Sequence, residues 1–115
     1  MRPYGLRYPN TVVLGGLLSD PKNLGEARGG GVRVMVTLHN PSPAGADRGL
    51  KVVCKGVGRV AHVLAEAAEH GHLVTVEGRL RHDRFKALEL QVEQVFDLTA
   101  KTNTMEDADG DPDPG

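Results

Sequence analysis

The run KVVCKGV at 51–57 places two lysines on one side of a predicted strand. Because successive side chains of a strand point to opposite faces, Lys51, Lys55 and Val57 share one face, while Cys54 lies on the other. Ammonium groups along such a face can follow the phosphates of a nucleic acid, and small apolar residues between them leave a flat surface for bases. An ordinary solvated face is the alternative interpretation.

A second basic group follows at 79–86. Arg79 and Arg81 share the outward parity of the strand-like run LVTVEGRLR at 73–81, and a polar turn with one aromatic residue comes next. Guanidinium and ammonium groups contact phosphates, and an aromatic ring can stack on a base. The candidate DNA-binding residues are Arg33, Lys51, Lys55, Val57, Arg79, Arg81, Arg84, Phe85 and Lys86.

The sequence offers little for catalysis or metal binding. Its carboxylates are scattered, and no Ser/His/Asp or Cys/His grouping is apparent, so we do not expect an enzyme. A zinc site needs three or four converging ligands. Of the five histidines, His62 and His70 fit the exposed face of a helix, and Cys54 has inward parity. We therefore expect no metal and no cofactor.

The charge distribution is uneven along the 115 residues. The net charge is −1, yet five acidic residues lie in the last stretch, MEDADGDPDPG, and the rest of the chain carries 14 basic and ten acidic side chains. A basic body with an acidic tail suggests a polyanion partner, with the tail as competitor or docking peptide. The tail could equally serve solubility alone.

The elements that would position these residues are best defined around a predicted helix. Val60, Val63, Leu64 and Ala67 recur at helical spacing, and Gly71 follows as a C-terminal cap. The period then changes to two, with Val74 and its alternate neighbours facing inward. Further strands are predicted at 11–18, 32–38, 51–57 and 87–98.

The predicted order is thus β-β-β-α-β-β, an all-β protein with one helix. This is the order of the OB-fold, a five-stranded, partly open Greek-key barrel in which the helix plugs one end. The first strand should end at Ser19-Asp20-Pro21, with Gly15 and Gly16 suiting a bulge or a tight bend at a barrel corner, and polar loops should span 23–31 and 40–49. Val32 and Phe96 have inward parity and are expected in the core.

Three segments are expected along the chain: an N-terminal arm at 1–9, the OB-fold domain at 10–100 and an acidic, disordered tail at 101–115. Tyr4 and Tyr8 in the arm could stack on bases, pack on a neighbouring subunit or stay loose. Cys54, the single cysteine, is expected as a small buried hydrophobe. No signal peptide or apolar run of ~20 residues is visible, so we expect a cytoplasmic, nucleoid-associated protein.

The sequence resembles the bacterial single-stranded DNA-binding protein family. The run NTVVLGGLL at 10–18, followed by Asp20-Pro21, is similar to that family's opening strand, and Gly30-Gly31 with 32–38 is similar to its second strand. The helix from Gly58 to Gly71 and the strand VTVEGRLR at 74–81 align without a gap to its helix and its E-G-x-L-R strand. The resemblance covers roughly residues 10–98. It implies an OB-fold that wraps single-stranded DNA, as a homotetramer or, less often, a dimer, and a tail that recruits replication or repair proteins.

The chain departs from that family in its aromatic residues, its tail and its loops. It has no tryptophan, and Phe85 alone occupies a position where the family carries a stacking aromatic. Lys51 and Val57 stand at third-strand positions that are often aromatic. The chain ends Pro114-Gly115, whereas the family's tail ends in acidic residues followed by Pro-Phe, and the loops are short and rich in glycine and proline.

Three functions follow from these features. The first is sequence-independent binding of single-stranded DNA in replication, recombination or repair. The second is a replication-restart adaptor of the primosomal replication protein B type, a dimeric relative with few aromatics, which would bind DNA more weakly and bridge a helicase. The third is an OB domain used only for protein contacts, which the absence of oligo(dT) binding at low salt would favour.

Overall fold

The structure is a computed structural model that describes residues 9–42 and 44–103. In it a mainly antiparallel sheet closes on itself, and a helix packs against the sheet. The strand order is β3-β2-β1-β4-β5-β6, and a parallel pairing of β3 with β5 closes the barrel. The expected OB-fold, with the order β-β-β-α-β-β, is confirmed. The elements are β1 Val12–Glu26, β2 Val32–Ser42, β3 Gly45–Val57, α1 Arg59–His70, β4 Leu73–His82, β5 Leu88–Asp97 and a short β6 Thr102–Asn103.

The core is aliphatic, and the inward parities of the strands build it largely as the sequence predicts. Val36, Leu38, Cys54, Val74 and Val76 are at most 1% exposed. Cys54 is a free, fully buried thiol. Burial raises its pKa to about 12, which makes it an inert apolar residue rather than a nucleophile.

The helix lies where its apolar period predicts. Leu64 and Ala67 are fully buried, and Gly71 ends the helix in the left-handed conformation with φ 67° and ψ 37°. Gly56 in β3 lets the helix approach closely, because a Cβ there would lie 2.7 Å from Val60 Cγ1 and 2.8 Å from Leu64 Cδ1. The helix is thereby fixed against the barrel wall directly beside the strand that carries Lys55.

The first strand is longer than predicted. It does not end at Asp20-Pro21 but continues to Glu26, because the pairing with β2 shifts between Ser19 and Lys22 and the ladder then resumes. Asp20, with φ 53°, and Pro21, which has no N–H to donate, lie in this irregularity. Of the two alternatives for Gly15 and Gly16, the bulge is wrong, because β1 pairs with β4 in unbroken register from Val12 to Leu17, and the tight bend stays a prediction.

The predicted loops are mostly strand. The first hairpin turns at 27–31, where the Ala27 N–H donates to Gly31 O, and in the second β2 ends at Ser42 and β3 begins at Gly45. Val32, expected inside, is 43% exposed, because it begins β2 opposite Glu26, away from the buried cluster. The long β1–β2 hairpin brings Leu24 and Arg33 close to the barrel closure.

The inward parity of the last long strand changes at a bulge. Gly78 pairs with Val92 and Glu77 pairs with Gln94, so Glu93 is an extra residue in β5. After it Val95 and Asp97 face inward, and Phe96, expected in the core, is 39% exposed. Leu88 and Leu98, which share the predicted inward parity, are also exposed at the two ends of the strand.

The predicted arm and tail fall largely outside the described residues, which begin at Pro9 and end at Asn103. Within the described part of the chain, no helix is long and apolar enough to cross a membrane.

Candidate nucleic-acid interface

An open groove of about 570 Å³ lies beside the barrel closure, between the β1–β2 hairpin, β3 and the β4–β5 turn. We call it the basic groove, because four of its side chains are Lys or Arg. The strand register explains why these cations lie close together. β3 pairs with β5 at Lys55, β5 pairs with β4 at Arg81, and Arg33 lies opposite Val57 at the end of β3. Its lining residues are Leu24, Arg33, Lys55, Arg81, His82, Asp83, Arg84, Phe85 and Glu89.

A buried carboxylate lies beneath two of the groove's cations. Lys55 Nζ is 2.8 Å from Glu89 Oε1, and Arg81 Nε donates to Glu89 Oε2 over 2.8 Å. The Glu89 side chain is only 3% exposed, whereas those of Lys55 and Arg81 are 26% and 54% exposed. The three residues thus join β3, β4 and β5 through one ion pair and one ionic hydrogen bond, with the cations on the solvent side.

Glu89 is ionised in spite of its burial. Burial by itself raises the pKa of this carboxyl group, but the hydrogen bonds and positive charges of Lys55 and Arg81 outweigh it and leave the pKa below its ordinary value. Its charge offsets one of the two cations above it.

The β4–β5 turn holds the groove's aromatic residue out in solvent. Asp83 Oδ1 accepts hydrogen bonds from the Phe85 N–H at 2.8 Å and the Ala87 N–H at 2.9 Å. The hydrogen bond from Ala87 is the largest influence that lowers the Asp83 pKa. Lys86 completes the turn with φ 65°. The tip is therefore a fixed platform rather than a loose loop.

The platform itself pairs an arginine with a ring. The Arg84 guanidinium carbon lies 5.1 Å from the centroid of the Phe85 ring, and Phe85 is 76% exposed. On the opposite wall Arg33 Nη2 donates to Leu24 O at 2.8 Å, which fixes that cation across the first hairpin. A chain of phosphates and bases could thus meet cations on both walls and a stacking surface on one.

The structure brings five of the nine sequence-predicted residues into the basic groove: Arg33, Lys55, Arg81, Arg84 and Phe85. Lys51 lies further along the outward face of β3, opposite His39, and Val57 ends that face at 40% exposure. Lys86 is exposed in the turn. Arg79 donates to Glu93 Oε2 at 2.9 Å and lies outside the groove lining. Contact with DNA stays a prediction for all nine.

Four lining residues were not among the candidates: Leu24, His82, Asp83 and Glu89. Glu89 had a signal in the sequence, because a tight hairpin around 83–87 places it directly opposite Arg81. Its burial had none, since that results from the approach of β3. Asp83 lies two residues before Phe85, and an aspartate at this spacing typically accepts the backbone N–H of the second residue after it in a turn.

A second cavity, of about 420 Å³, lies at the helix, where His72 and Asp97 form a pair. His72 Nδ1 is 2.8 Å from Asp97 Oδ2, and the buried Asp97 also accepts the Ala100 N–H through Oδ1. The pair fixes the turn after α1 to the end of β5. Within residues 9–42 and 44–103, no three potential ligands are placed to hold a metal ion.

The outer face of the β1–β4–β5 sheet carries five exposed, large apolar side chains. Leu17 lies opposite Leu73, and Thr75 lies opposite Phe96, so their side chains form one surface outside the barrel. Its large hydrophobic residues are 39–58% exposed. We call this the apolar outer face; it comprises Val13, Leu17, Leu73, Phe96 and Leu98.

Comparison with known proteins supports the fold. No protein-family model matches the chain, and no curated protein sequence matches it significantly. Solved structures do match. The SSB domain of a protein from Synechococcus sp. has a TM-score of 0.56 and 23% identity, and the alignment covers 78% of this chain and 97% of that domain.

Two further structures are similar. The N-terminal domain of the PriB protein from Thermoanaerobacter tencongensis, a dimer, has a TM-score of 0.61 at 20% identity, over 75% of this chain and 92% of that one. A deletion mutant of the single-stranded DNA binding protein from Thermus aquaticus has a TM-score of 0.65 at 23% identity, over 84% of this chain and 44% of that protein. At the level of the fold, these likenesses agree with the resemblance found in the sequence.

Proposed function

We propose that this protein binds single-stranded DNA without sequence preference and has no catalytic role. The observation that carries the proposal is the basic groove, where four Lys and Arg side chains surround an exposed Phe85 beside the barrel closure. Cations that follow a phosphate backbone, together with one stacking ring, bind a flexible strand whatever its base order. The similar fold of an SSB domain and of a single-stranded DNA binding protein supports this choice of ligand.

The proposed DNA path runs through the groove and continues along β3. Arg33, Lys55, Arg81 and Arg84 contact phosphates in the groove, and Phe85 stacks on a base. Lys51, Val57, Arg79 and Lys86 extend the contact surface beyond it. Arg79 contributes least of the arginines, since it lies outside the groove lining and is paired with Glu93.

Two exposed arginines give a matched test of this path. Arg84→Gln removes a cation of the groove, and Arg79→Gln removes one outside its lining. Fluorescence anisotropy with labelled oligo(dT) should show a several-fold loss of affinity for Arg84→Gln and a smaller one for Arg79→Gln. Equal losses, or no loss in either variant, would contradict the groove as the DNA site.

A second candidate function is a replication-restart adaptor like PriB. The observation that favours it is that Phe85 is the single Phe, Tyr or Trp among the described residues that line the groove, so strong base stacking, worth roughly 1–3 kcal/mol per base, is available there at one ring per subunit. A dimer with weak DNA affinity would agree with this function. A tetramer with a large occluded site would argue against it.

We further propose that the protein is a homo-oligomer, a tetramer or a dimer, that it works in the cytoplasm with the nucleoid, and that it contacts replication, recombination or repair proteins. The apolar outer face supports self-association, because large apolar patches on a soluble protein usually mark an interface. The dimeric state of the similar PriB domain is in line with this.

A further inference from the structure

We infer that Glu89 is a positioning residue that limits how tightly the basic groove holds DNA, by fixing Lys55 and Arg81 from below and offsetting one of their two charges. This inference rests on the proposed function. Of the two carboxylates that line the groove, Glu89 is the buried one. The other, Asp83, accepts backbone hydrogen bonds within its own turn.

Glu89 contacts Lys55 and Arg81 from their buried side. The donor groups on the exposed side of both cations remain available to a ligand. Arg81 uses Nε for Glu89, so its two Nη groups are not engaged by that carboxylate. Lys55 Nζ forms an ion pair with Oε1 over 2.8 Å, and the Lys55 side chain is partly exposed. Because both cations are partly exposed, a phosphate can approach them from the solvent side while Glu89 stays in place.

The cost of this arrangement is repulsion between two anions across a shared cation. A phosphate that contacts Lys55 or Arg81 from outside lies one cation away from the Glu89 carboxylate, at a distance where charges interact appreciably even near a protein surface. The benefit is that two long side chains are already ordered when DNA arrives. In our inference the repulsion is the larger effect, so Glu89 weakens binding and eases release.

The test compares two glutamates whose loss changes the net charge equally. Glu89→Gln removes the carboxylate beneath the groove, and Glu93→Gln removes the partner of Arg79 outside it. Oligo(dT) affinity is measured at several salt concentrations for the wild type and both variants, after circular dichroism shows that they are folded. If Glu89→Gln does not fold, Glu89→Met makes the same test, because Met is similar in size, buries no polar atom and leaves the cations free to turn to solvent.

We expect Glu89→Gln to bind about three- to tenfold more tightly than the wild type at low salt. Its plot of log affinity against log salt should be steeper by about 0.7, as for one additional phosphate contact. Glu93→Gln releases only Arg79, at the edge of the proposed path, and should gain clearly less affinity than Glu89→Gln. Unchanged or weaker binding by Glu89→Gln, or an equal gain in Glu93→Gln, would overturn the inference. If the wild type does not bind oligo(dT), the proposed function itself fails.

Discussion

The Arg84 guanidinium lies over the ring of Phe85, 5.1 Å from its centroid, at the tip of the β4–β5 turn. The two residues form a positively charged platform with an exposed ring at the rim of the basic groove, and the hydrogen bonds that Asp83 accepts hold its turn in place. A base that stacks there would contact the ring while its phosphate meets the arginine.

This platform predicts a loss of affinity when its ring is removed. Phe85→Ala should weaken oligo(dT) binding by about 1–3 kcal/mol, the usual value of one base on an aromatic side chain. Phe85→Tyr keeps the ring and should bind nearly as well as the wild type. Because Phe85 is 76% exposed, neither variant should lower the melting temperature. Equal affinity of the Ala variant and the wild type would show that no base stacks on Phe85.

The ion pairs of Glu89 predict a pH-dependent contribution to stability. The pKa of Glu89 is lowered in the folded protein, so its stabilisation is present above its ordinary value of 4.5 and is lost as pH falls through the lower folded value. Glu89→Gln should therefore cost about 1–3 kcal/mol of unfolding free energy at pH 7 and progressively less below about pH 4.5. Urea unfolding of both proteins at pH 7 and pH 3.5 measures this. A constant difference across that range would contradict the depressed pKa.

Two adjacent glycines of β1 should differ sharply in their tolerance of a methyl group. A Cβ at Gly16 would collide with the carbonyl oxygen of His39, whereas one at Gly15 would meet Val74 O at an ordinary 3.6 Å. Gly16→Ala should therefore destabilise the protein by about 1–3 kcal/mol, and Gly15→Ala by much less. Thermal melts of the two variants decide the matter. Similar melting temperatures would mean that β1 and β2 do not approach as closely as described.

The apolar outer face should carry the self-association. Leu73→Asp places a charge in the middle of this face, opposite Leu17, and should lower the molar mass measured by light scattering in solution. Leu88→Asp, at another exposed leucine that is not part of the face, is the control and should leave the mass unchanged. If Leu73→Asp has the wild-type mass, the subunits associate elsewhere or not at all.

The sequence predicted the fold where side-chain period and backbone chemistry agree. The helical spacing of Val63, Leu64 and Ala67, the glycine at 71 and the alternation of Val74 and Val76 are local signals, and all are confirmed. The parity of β3 likewise placed Lys55 outside and Cys54 inside.

Prediction failed where a single residue shifts the register. The extra residue at Glu93 reverses the parity behind it and moves Phe96 out of the core, and the irregularity at Asp20-Pro21 looks like the end of a strand that in fact continues. Period counting cannot detect such shifts, because they depend on the partner strand.

The candidate site was predictable only in part, because side-chain parity is a local signal and closure of the barrel is not. Its cations and Phe85 lie on outward parities that the sequence reveals. Glu89 also has outward parity, and it is buried only because β3 closes the barrel beside it. That tertiary contact, which no local pattern encodes, turns a surface glutamate into the buried partner of Lys55 and Arg81.

The most direct test of the central claim is the salt dependence of oligo(dT) binding by the wild-type protein, measured by anisotropy beside a duplex of equal length. Stacking of an unpaired base on Phe85 predicts preferential binding of the single strand. Three or four phosphate contacts in the groove predict a slope of log affinity against log salt of about −2 to −3. Absence of binding at low salt, or binding that does not change with salt, would contradict the account.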